Sequence, residues 1–388
     1  MQDGPDITGL GLVTPLGNAP WPTFQALLAG RTTADRLDEV PEVMDPTMLA
    51  TAIGGSARAR FSPVDPAVEI AERAARDALF EAFPDGHPPH LRTIVASSKG
   101  AVVSLLESME PRRRRDTAHE AAALGPHGWL CRELQRRLGL GPTTAVVAAC
   151  ATGAAALHQA RRELESGEVD AVLVVAVEAA LHPVFVESYR RLGVLADMDP
   201  PSAYVARPLD RGRGGFTLNE SGAALVLQRP GAHGRALGRL SWTGCASQPD
   251  DLVRTSAACE TLRRLVAEAS RGREIVAVQP HAPGTVAHDE AELEAIAAGL
   301  GGARPPAWAV KGAIGHSLGA SAVVGAVLAV VAAKAGRLPP MPWLSDPLTA
   351  LPVHPEGVRI GPGDHLVVSA GFGGHGGVVV VGGAGIRD

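Results

Sequence analysis

Short, wholly apolar runs alternate along this chain with longer stretches in which apolar residues recur every three or four positions. The first pattern predicts buried β-strands and the second amphipathic helices. Ile7 to Val13 reads as a strand, closed by a turn at Pro15-Leu16-Gly17. Val68 to Phe80 predicts a helix with Ala71, Ala74, Ala75, Ala78 and Leu79 on one side. Thr93 to Ala96 predicts a short buried strand, and Gly128 to Leu138 a helix leading into the strand Val146-Val147-Ala148-Ala149. Ala171 to Val177 and Ala223 to Leu227 are continuous apolar runs, as expected of strands covered on both faces.

The Gly- and Pro-rich stretch Pro230 to Gly238 is the natural junction. Beyond it the alternation resumes. A strand starts at Leu240, a helix covers Thr255 to Ser270, a strand Glu274 to Val278, and a helix Glu290 to Gly299. A short strand is expected at Ala309-Val310 and a helix over Leu318 to Ala333. His365 to Ser369 and Val378 to Val381 form a hairpin-like pair around a glycine-rich turn. Strand–helix alternation on both sides of the junction predicts an α/β fold with largely buried sheets.

The length of 388 residues suggests two domains or one large pseudo-duplicated one. Hydrophobic residues make up 46% and aromatics only 4%, so Ala, Val and Leu must do most of the packing. The 45 glycines fit such close backbone approach. A net charge of −5 argues against a protein that coats nucleic acid. The polar, basic stretch Pro111 to Thr117, with the run Arg112 to Arg115, reads as a solvated loop or a landing patch for an acidic partner.

The four cysteines, Cys131, Cys150, Cys245 and Cys259, form no CxxC pair and match no zinc spacing. A reducing cytoplasm is therefore expected. The acidic N-terminus has no apolar signal-peptide core. The apolar stretch Ala320 to Ala333, interrupted by Ser321 and Gly325, reads as a buried helix too short to span a bilayer, so no membrane role is expected.

Candidate chemistry centres on Cys150. It follows an apolar strand and precedes Thr152-Gly153 and the Ala-rich run Ala154 to Leu157, a turn into a helix. A cysteine there sits in the positive field of the helix N-terminus, which favours thiolate near neutral pH. Nearby backbone N–H groups could hold an oxyanion. Acyl transfer through a thioester on Cys150 is the expectation. His281 follows the strand Ile275 to Val278, and His316 precedes the long apolar helix. Both lie at strand–helix crossings, where sites gather in α/β sheets.

These segments resemble the β-ketoacyl synthases, condensing enzymes of the thiolase superfamily. Ala149-Cys150-Ala151-Thr152-Gly153 looks like the family's nucleophile elbow. Pro208-Leu209-Asp210-Arg211 with Gly215 to Ala223 is similar to PFDxxRDGFVxGEGA. His281, Thr285, Asp289 and Glu292 match HGTxTxxxDxxE, and Lys311 to Ala320 matches KSxxGHxxGA. Gly371-Phe372-Gly373-Gly374 resembles the GFGG turn, and Gly9 to Gly17 also fits.

The resemblance implies a thiolase-like fold, two pseudo-duplicated halves in a layered α-β-α-β-α core, divided at 1–232 and 233–388. It implies an acyltransferase: decarboxylative Claisen condensation of a Cys150-bound acyl group with a malonyl unit on acyl carrier protein. Pathways would be fatty-acid or type II polyketide/polyene biosynthesis. His281 and His316 would hydrogen-bond the enolate. The N–H groups of Cys150 and Phe372 would form the oxyanion hole, with Phe372 and Gly373 at the gate. Lys311 would pair with Glu292, Asp289 would support the loop, and Thr285 would touch the phosphopantetheine arm. No metal and no other cofactor is implied. Partners would be acyl carrier protein and a second subunit, in a homodimer or a heterodimer with a chain-length-factor-like chain. The alternative role is that of such a silent partner itself, though those typically lack the nucleophile. A degradative thiolase would carry a second cysteine near the C-terminus, and none follows Cys259. A starter-type synthase would have asparagine at His316.

The chain departs from the pattern in places. His375-Gly376 stands where the family has Thr-Asn, Ala282-Pro283-Gly284 removes the first threonine of HGT, and Asn219-Glu220-Ser221 replaces Gly-Glu-Gly. Gly100 to Gly128 is shorter and more basic than in fatty-acid synthases. These changes favour a specialised pathway.

Overall fold

A computed structural model describes residues 4–33, 64–108, 118–196, 204–232, 235–248 and 259–383. The strands are β1 (Asp6–Val13), β2 (Arg92–Ala96), β3 (Thr143–Val146), β4 (Ala171–Glu178), β5 (Ser221–Gln228), β6 (Gly238–Ser247), β7 (Ile275–Gln279), β8 (Arg337–Leu338), β9 (Val358–Arg359), β10 (Asp364–Gly371) and β11 (His375–Gly383). The helices are α1 (Pro20–Leu28), α2 (Pro66–Ala82), α3 (Val102–Ser108), α4 (Ala118–Leu138), α5 (Thr152–Ser166), α6 (Pro183–Arg191), α7 (Glu260–Ser270), α8 (Asp289–Gly299), α9 (Lys311–Ile314) and α10 (Ser321–Ala335).

Among the described residues, nine strands join in the order β3-β2-β4-β5-β1-β6-β11-β10-β7. The pairing repeats across the middle. β1, β5 and β4 are successively antiparallel, and β4 is parallel to β2. Likewise β6, β11 and β10 are successively antiparallel, and β10 is parallel to β7. The two first strands meet at the seam, with Asp6 opposite Arg239 and Ile7 opposite Gly238.

Five layers follow from which side chains share a face. Alternate residues of a strand point to opposite faces. Val95, Leu173, Val175 and Val226 pack with α2 and α4, whereas Ile94, Val172, Val174 and Leu225 face the core that holds α5 and α10. In β11, a side chain at Gly376 would meet Leu262 of α7, and one at the neighbouring Gly377 would meet Ala154 of α5. So α7 and α5 cover opposite faces of that part of the sheet. The order is α2/α4, sheet, α5/α10, sheet, α7/α8, the expected α-β-α-β-α arrangement.

The apolar helical stretch Leu318–Ala335 is in fact long and apolar enough to cross a membrane by length and composition, contrary to the expectation from Ala320 to Ala333. Its position explains its character. It is mostly buried between the sheet layers, against α5, β5, β10 and β11, so every side of it needs apolar side chains. The strand expected at Ala309-Val310 is also corrected. Among the described residues only isolated parallel bridges form here, from Ala307 to Val278 and to Val353. Pro305 and Pro306 lack the N–H groups to extend them backwards, and Val310 already has near-helical dihedrals as the N-cap of α9.

Candidate active site

The turn between β3 and α5 carries Cys150. β3 stops at Val146, short of the predicted Ala149, because Ala149 takes a φ of 47° and reverses the chain. Thr152 holds the turn. Its hydroxyl donates to the Ala149 carbonyl at 2.6 Å and accepts from the Ala148 N–H at 2.7 Å. The two histidines are held by similar means. Ala282, after His281, has φ 34°, and Leu318, two residues after His316, has φ 40°. Each such residue costs about 1–2 kcal/mol, strain that concentrates at functional sites.

These turns converge. The sulfur of Cys150 and one ring nitrogen each of His281 and His316 lie within 4.8 Å of one another. The two imidazole centroids are 5.2 Å apart, and Phe216 packs edge-on against His316 at 4.9 Å. His316 Nδ1 accepts the Leu318 N–H at 3.2 Å, with the Ser321 hydroxyl also at 3.2 Å. A ring nitrogen that accepts carries no proton, so Nε2 bears it and is a donor. Asn219 fixes this loop by donating to the Ile314 carbonyl at 2.7 Å and to the Ser317 hydroxyl at 3.1 Å. His281 Nδ1 has no hydrogen-bond partner among the described residues, so no contact sets its tautomer.

The electrostatics differ from the expectation at Cys150. The thiol is pushed up to about 11 by burial, with Lys311 and Lys99 pulling it down and Glu178 pushing it up. Burial therefore favours the thiol at neutral pH. Burial and the Lys311 ammonium hold both imidazoles well below their usual range, so they are neutral at pH 7. A neutral imidazole beside the thiol is a proton acceptor.

Lys311 is 7% exposed, and its ammonium donates to the His281 carbonyl. Burial lowers it to about 8, against the pull of Glu292. The expected Lys311–Glu292 ion pair is replaced by other contacts. Glu292 accepts the N–H groups of His281 at 2.6 Å and Ala282 at 2.8 Å, and lies 3.4 Å from His288 Nε2. Asp289, one helical turn away on α8, accepts from the N–H of Gly284 at 2.9 Å, Thr285 at 3.1 Å and Leu209 at 3.1 Å. Burial raises Asp289 to about 6 despite these donors. Both carboxylates thus anchor the His281 loop through its backbone. Thr285 is half-buried, and its hydroxyl has no partner among the described residues.

Phe372 is half-buried and packs on the apolar group around Cys150, formed by Val186, Tyr189, Phe216, Leu218 and Leu318. Gly373, at φ 81°, makes the turn between β10 and β11. Among the described residues, neither the Cys150 nor the Phe372 N–H has a protein acceptor. His375 bonds to the Ser247 hydroxyl at 2.8 Å instead of joining the site.

Several residues escaped the sequence reading. The role of Gly371, read only as part of the GFGG turn, is one: a Cβ there would lie 2.9 Å from the Cys150 nitrogen. Glu178 is another. It is fully buried, accepts the Ser98 N–H, and is raised to about 7 by burial. Ser321 and Asn219 act only through His316. Asn219 stood inside a recognised motif, but nothing in its spacing revealed its partner. The arginine run Arg112 to Arg115 lies outside the described residues. All four cysteines are unpaired.

Two family models match the chain: the beta-ketoacyl synthase N-terminal domain over residues 133–232 and the beta-ketoacyl synthase C-terminal domain over 244–344. Together they span more than half of it. The chain is 33% identical over 260 residues to a 3-oxoacyl-[acyl-carrier-protein] synthase 2 of Mycobacterium bovis, a match covering 62% of this chain and 61% of that relative. It is 25% identical over 387 residues to the tetracenomycin polyketide synthase ketoacyl synthase alpha subunit of Streptomyces glaucescens, covering 88% and 87%. Among solved structures it is similar to a type II polyketide ketosynthase in complex with its acyl-carrier protein, with a TM-score of 0.83 at 20% identity over 99% of this chain and 100% of that one. The ishigamide ketosynthase/chain length factor gives 0.79 at 21% identity over 99% and 100%. These likenesses establish a thiolase-like ketosynthase fold.

Proposed function

From the chain's membership of the β-ketoacyl synthase family, we propose that it joins a Cys150-bound acyl group to a malonyl unit on an acyl carrier protein, with loss of carbon dioxide. The observation that carries this reading is one thiol and two neutral imidazoles within 4.8 Å, one ring locked as a donor.

The steps follow from the residues. His281, with no contact setting its tautomer, takes the Cys150 proton as the sulfur attacks the incoming thioester. The carrier thiolate leaves and is protonated from the imidazolium. The malonyl unit then loses carbon dioxide, and its thioester oxygen becomes an enolate. His316 donates to that oxygen from Nε2–H, and His281 adds a second donor. Burial, helped by the Lys311 ammonium, keeps both rings neutral, so they serve as donors without carrying charge. The enolate carbon attacks the Cys150 thioester, and the oxyanion takes the free N–H groups of Cys150 and Phe372. Collapse releases a 3-oxoacyl carrier and the Cys150 thiolate, which takes a proton from solvent. Thr285 contacts the phosphopantetheine arm, and Phe372 with Gly373 gates the chamber between the two half-reactions.

Partner and pathway extend the reading. The edge strand β3 exposes Thr144 and Ala145, and Val147 beyond it is 55% exposed, which supports a second subunit seated on this edge. That subunit is a second copy or a chain-length-factor-like chain, and sedimentation of the pure protein decides between them. The Mycobacterium and Streptomyces relatives support a role in fatty-acid or polyketide biosynthesis. Four unpaired cysteines support a cytoplasmic setting. The repeated strand pairing supports halves divided at 1–232 and 233–388.

The test is intact-mass analysis after incubation with acyl carriers of varied chain length. A mass gain on wild type that vanishes in Cys150→Ala supports the reading. A gain that persists in Cys150→Ala contradicts it.

A further inference from the structure

Lys99 has no assigned role, yet its setting is unusual. It lies in the loop Ser97-Ser98-Lys99-Gly100, directly after β2, and is half-buried. Its ammonium stands 5.8 Å over the centre of the Phe185 ring. Phe185 packs against the apolar group that surrounds the nucleophile: Val186 and Tyr189 of α6, with Phe216, Leu218 and Leu318. The ammonium is also near enough to Cys150 to favour its thiolate.

A cation held there normally answers to a carboxylate, and none pairs with it among the described residues. Glu178 feels the Lys99 charge, but its Oε1 is held by the Ser98 N–H, its Oε2 has no hydrogen-bond partner, and no ion pair with Lys99 forms among the described residues. On α6, Glu187 is taken by Arg190 at 2.6 Å. The ammonium therefore rests on an aromatic face, and among the described residues its hydrogen-bond donors have no acceptor. The apolar group around Cys150 extends to Phe185, so an acyl chain laid along it would come near the ammonium. A purely saturated chain would desolvate the ammonium and return nothing. A chain bearing oxygen acceptors would satisfy it.

We propose that Lys99 is a specificity-determining residue that selects acyl chains carrying keto or carboxylate oxygens over saturated hydrocarbon chains. This rests on the reading of Cys150 as the acylated nucleophile. The step itself is thioester exchange: the Cys150 sulfur bonds to the acyl carbon, the donor's C–S bond breaks, and the donor thiol leaves with the proton.

The experiment uses synthetic pantetheine thioesters, so carrier recognition plays no part. Octanoyl, 3-oxooctanoyl and 7-carboxyheptanoyl donors are incubated with wild type, Lys99→Met, Lys99→Arg and Cys150→Ala, and acylation rates are read by intact mass. Wild type is expected to favour at least one oxygenated donor over octanoyl by about tenfold or more, as one charge-assisted hydrogen bond predicts. The keto and carboxylate arms report where along the chain the oxygen meets the ammonium. Lys99→Met is expected to lose the preference and Lys99→Arg to keep it. If Lys99→Met does not fold, Lys99→Gln takes its place, and the wild-type preference for the carboxylate donor should fall as salt rises. A wild type that favours octanoyl, or a preference unchanged in Lys99→Met, overturns the assignment while leaving Cys150 as nucleophile. Absence of any Cys150-dependent acylation removes the underlying reading and the assignment with it.

Discussion

Replacing Gly371 by alanine places a methyl carbon 2.9 Å from the Cys150 nitrogen, 3.2 Å from the Ala148 carbonyl oxygen and 3.2 Å from the Ala149 side chain. Ordinary contacts of such a carbon begin near 3.4 Å, so one wall must retreat by about half an ångström. The nucleophile turn has little slack, because Thr152 ties it at both ends and Ala149 is already strained. The hairpin tip carries Phe372, whose N–H is the other oxyanion donor in this account. Either movement spoils one donor. Loss of one such donor costs about 10²–10³ in rate, while overpacking costs about 1–3 kcal/mol of stability. Gly373→Ala is the control. It pays backbone strain at φ 81°, but its methyl meets nothing nearer than the His375 ring at 3.4 Å. Single-turnover acylation by intact mass, alongside thermal melting, separates the two effects. Gly371→Ala should acylate at least a hundredfold more slowly than Gly373→Ala at similar loss of Tm. Acylation of Gly371→Ala within threefold of wild type would refute the steric reasoning.

Other predictions follow from the histidines and the sulfur. His316→Ala should release carbon dioxide from malonyl carrier about a hundredfold more slowly. Ser321→Ala should slow it by less than about tenfold, because the Leu318 N–H still sets the tautomer; equal losses in the two variants would argue against the locked-donor role. Lys311→Met removes a charge that lowers both imidazoles, so their protonation should move to higher pH and the acid limb of the rate profile should rise with it. An unmoved limb would contradict this. The His316 ring is well below 6.5 when folded and near 6.5 when unfolded, so the unfolded chain binds more protons between those values. Its contribution is thus present above pH 6.5 and lost as pH falls, and the Tm of wild type relative to His316→Phe should drop below pH 6.5. A difference that stays flat with pH would contradict the neutral buried ring. Finally, a thiol and two imidazoles within 4.8 Å suit a thiophilic cation, so zinc should inhibit acylation and chelator should restore it. Insensitivity to zinc would count against this convergence.

Much of the site could be read from the chain because its residues lie beside their own signals. Cys150, His281 and His316 each sit where an apolar run meets glycine and a helix pattern, and the order of the motifs gives them a common purpose. The buried strands could be read for the same reason, since runs such as Ala171 to Val177 leave no polar face. What could not be read depends on distant chain segments. The Cys150 thiol is raised by walls from α6, the segment Phe216 to Leu218 before β5, and the His316 loop, none of them adjacent in sequence. Glu292 serves two backbone N–H groups that no spacing rule reveals, so the expected close pair with Lys311 is reduced to a longer-range attraction. The left-handed dihedrals at Ala149, Ala282 and Leu318 carry no sequence mark, because glycine would signal them and is absent. Strand ends fail likewise. Val147 to Ala149 is apolar enough for a strand, but its hydrophobicity serves the nucleophile turn and the exposed edge.

The central claim is that these three side chains act together on two substrates, and product stoichiometry tests it most directly. Acyl-loaded protein mixed with malonyl carrier is followed for carbon dioxide and for 3-oxoacyl carrier by mass. One carbon dioxide is expected for each two-carbon-extended product, with the product absent in Cys150→Ala. Loss of carbon dioxide without any extended product from wild type, or extended product from Cys150→Ala, would contradict it.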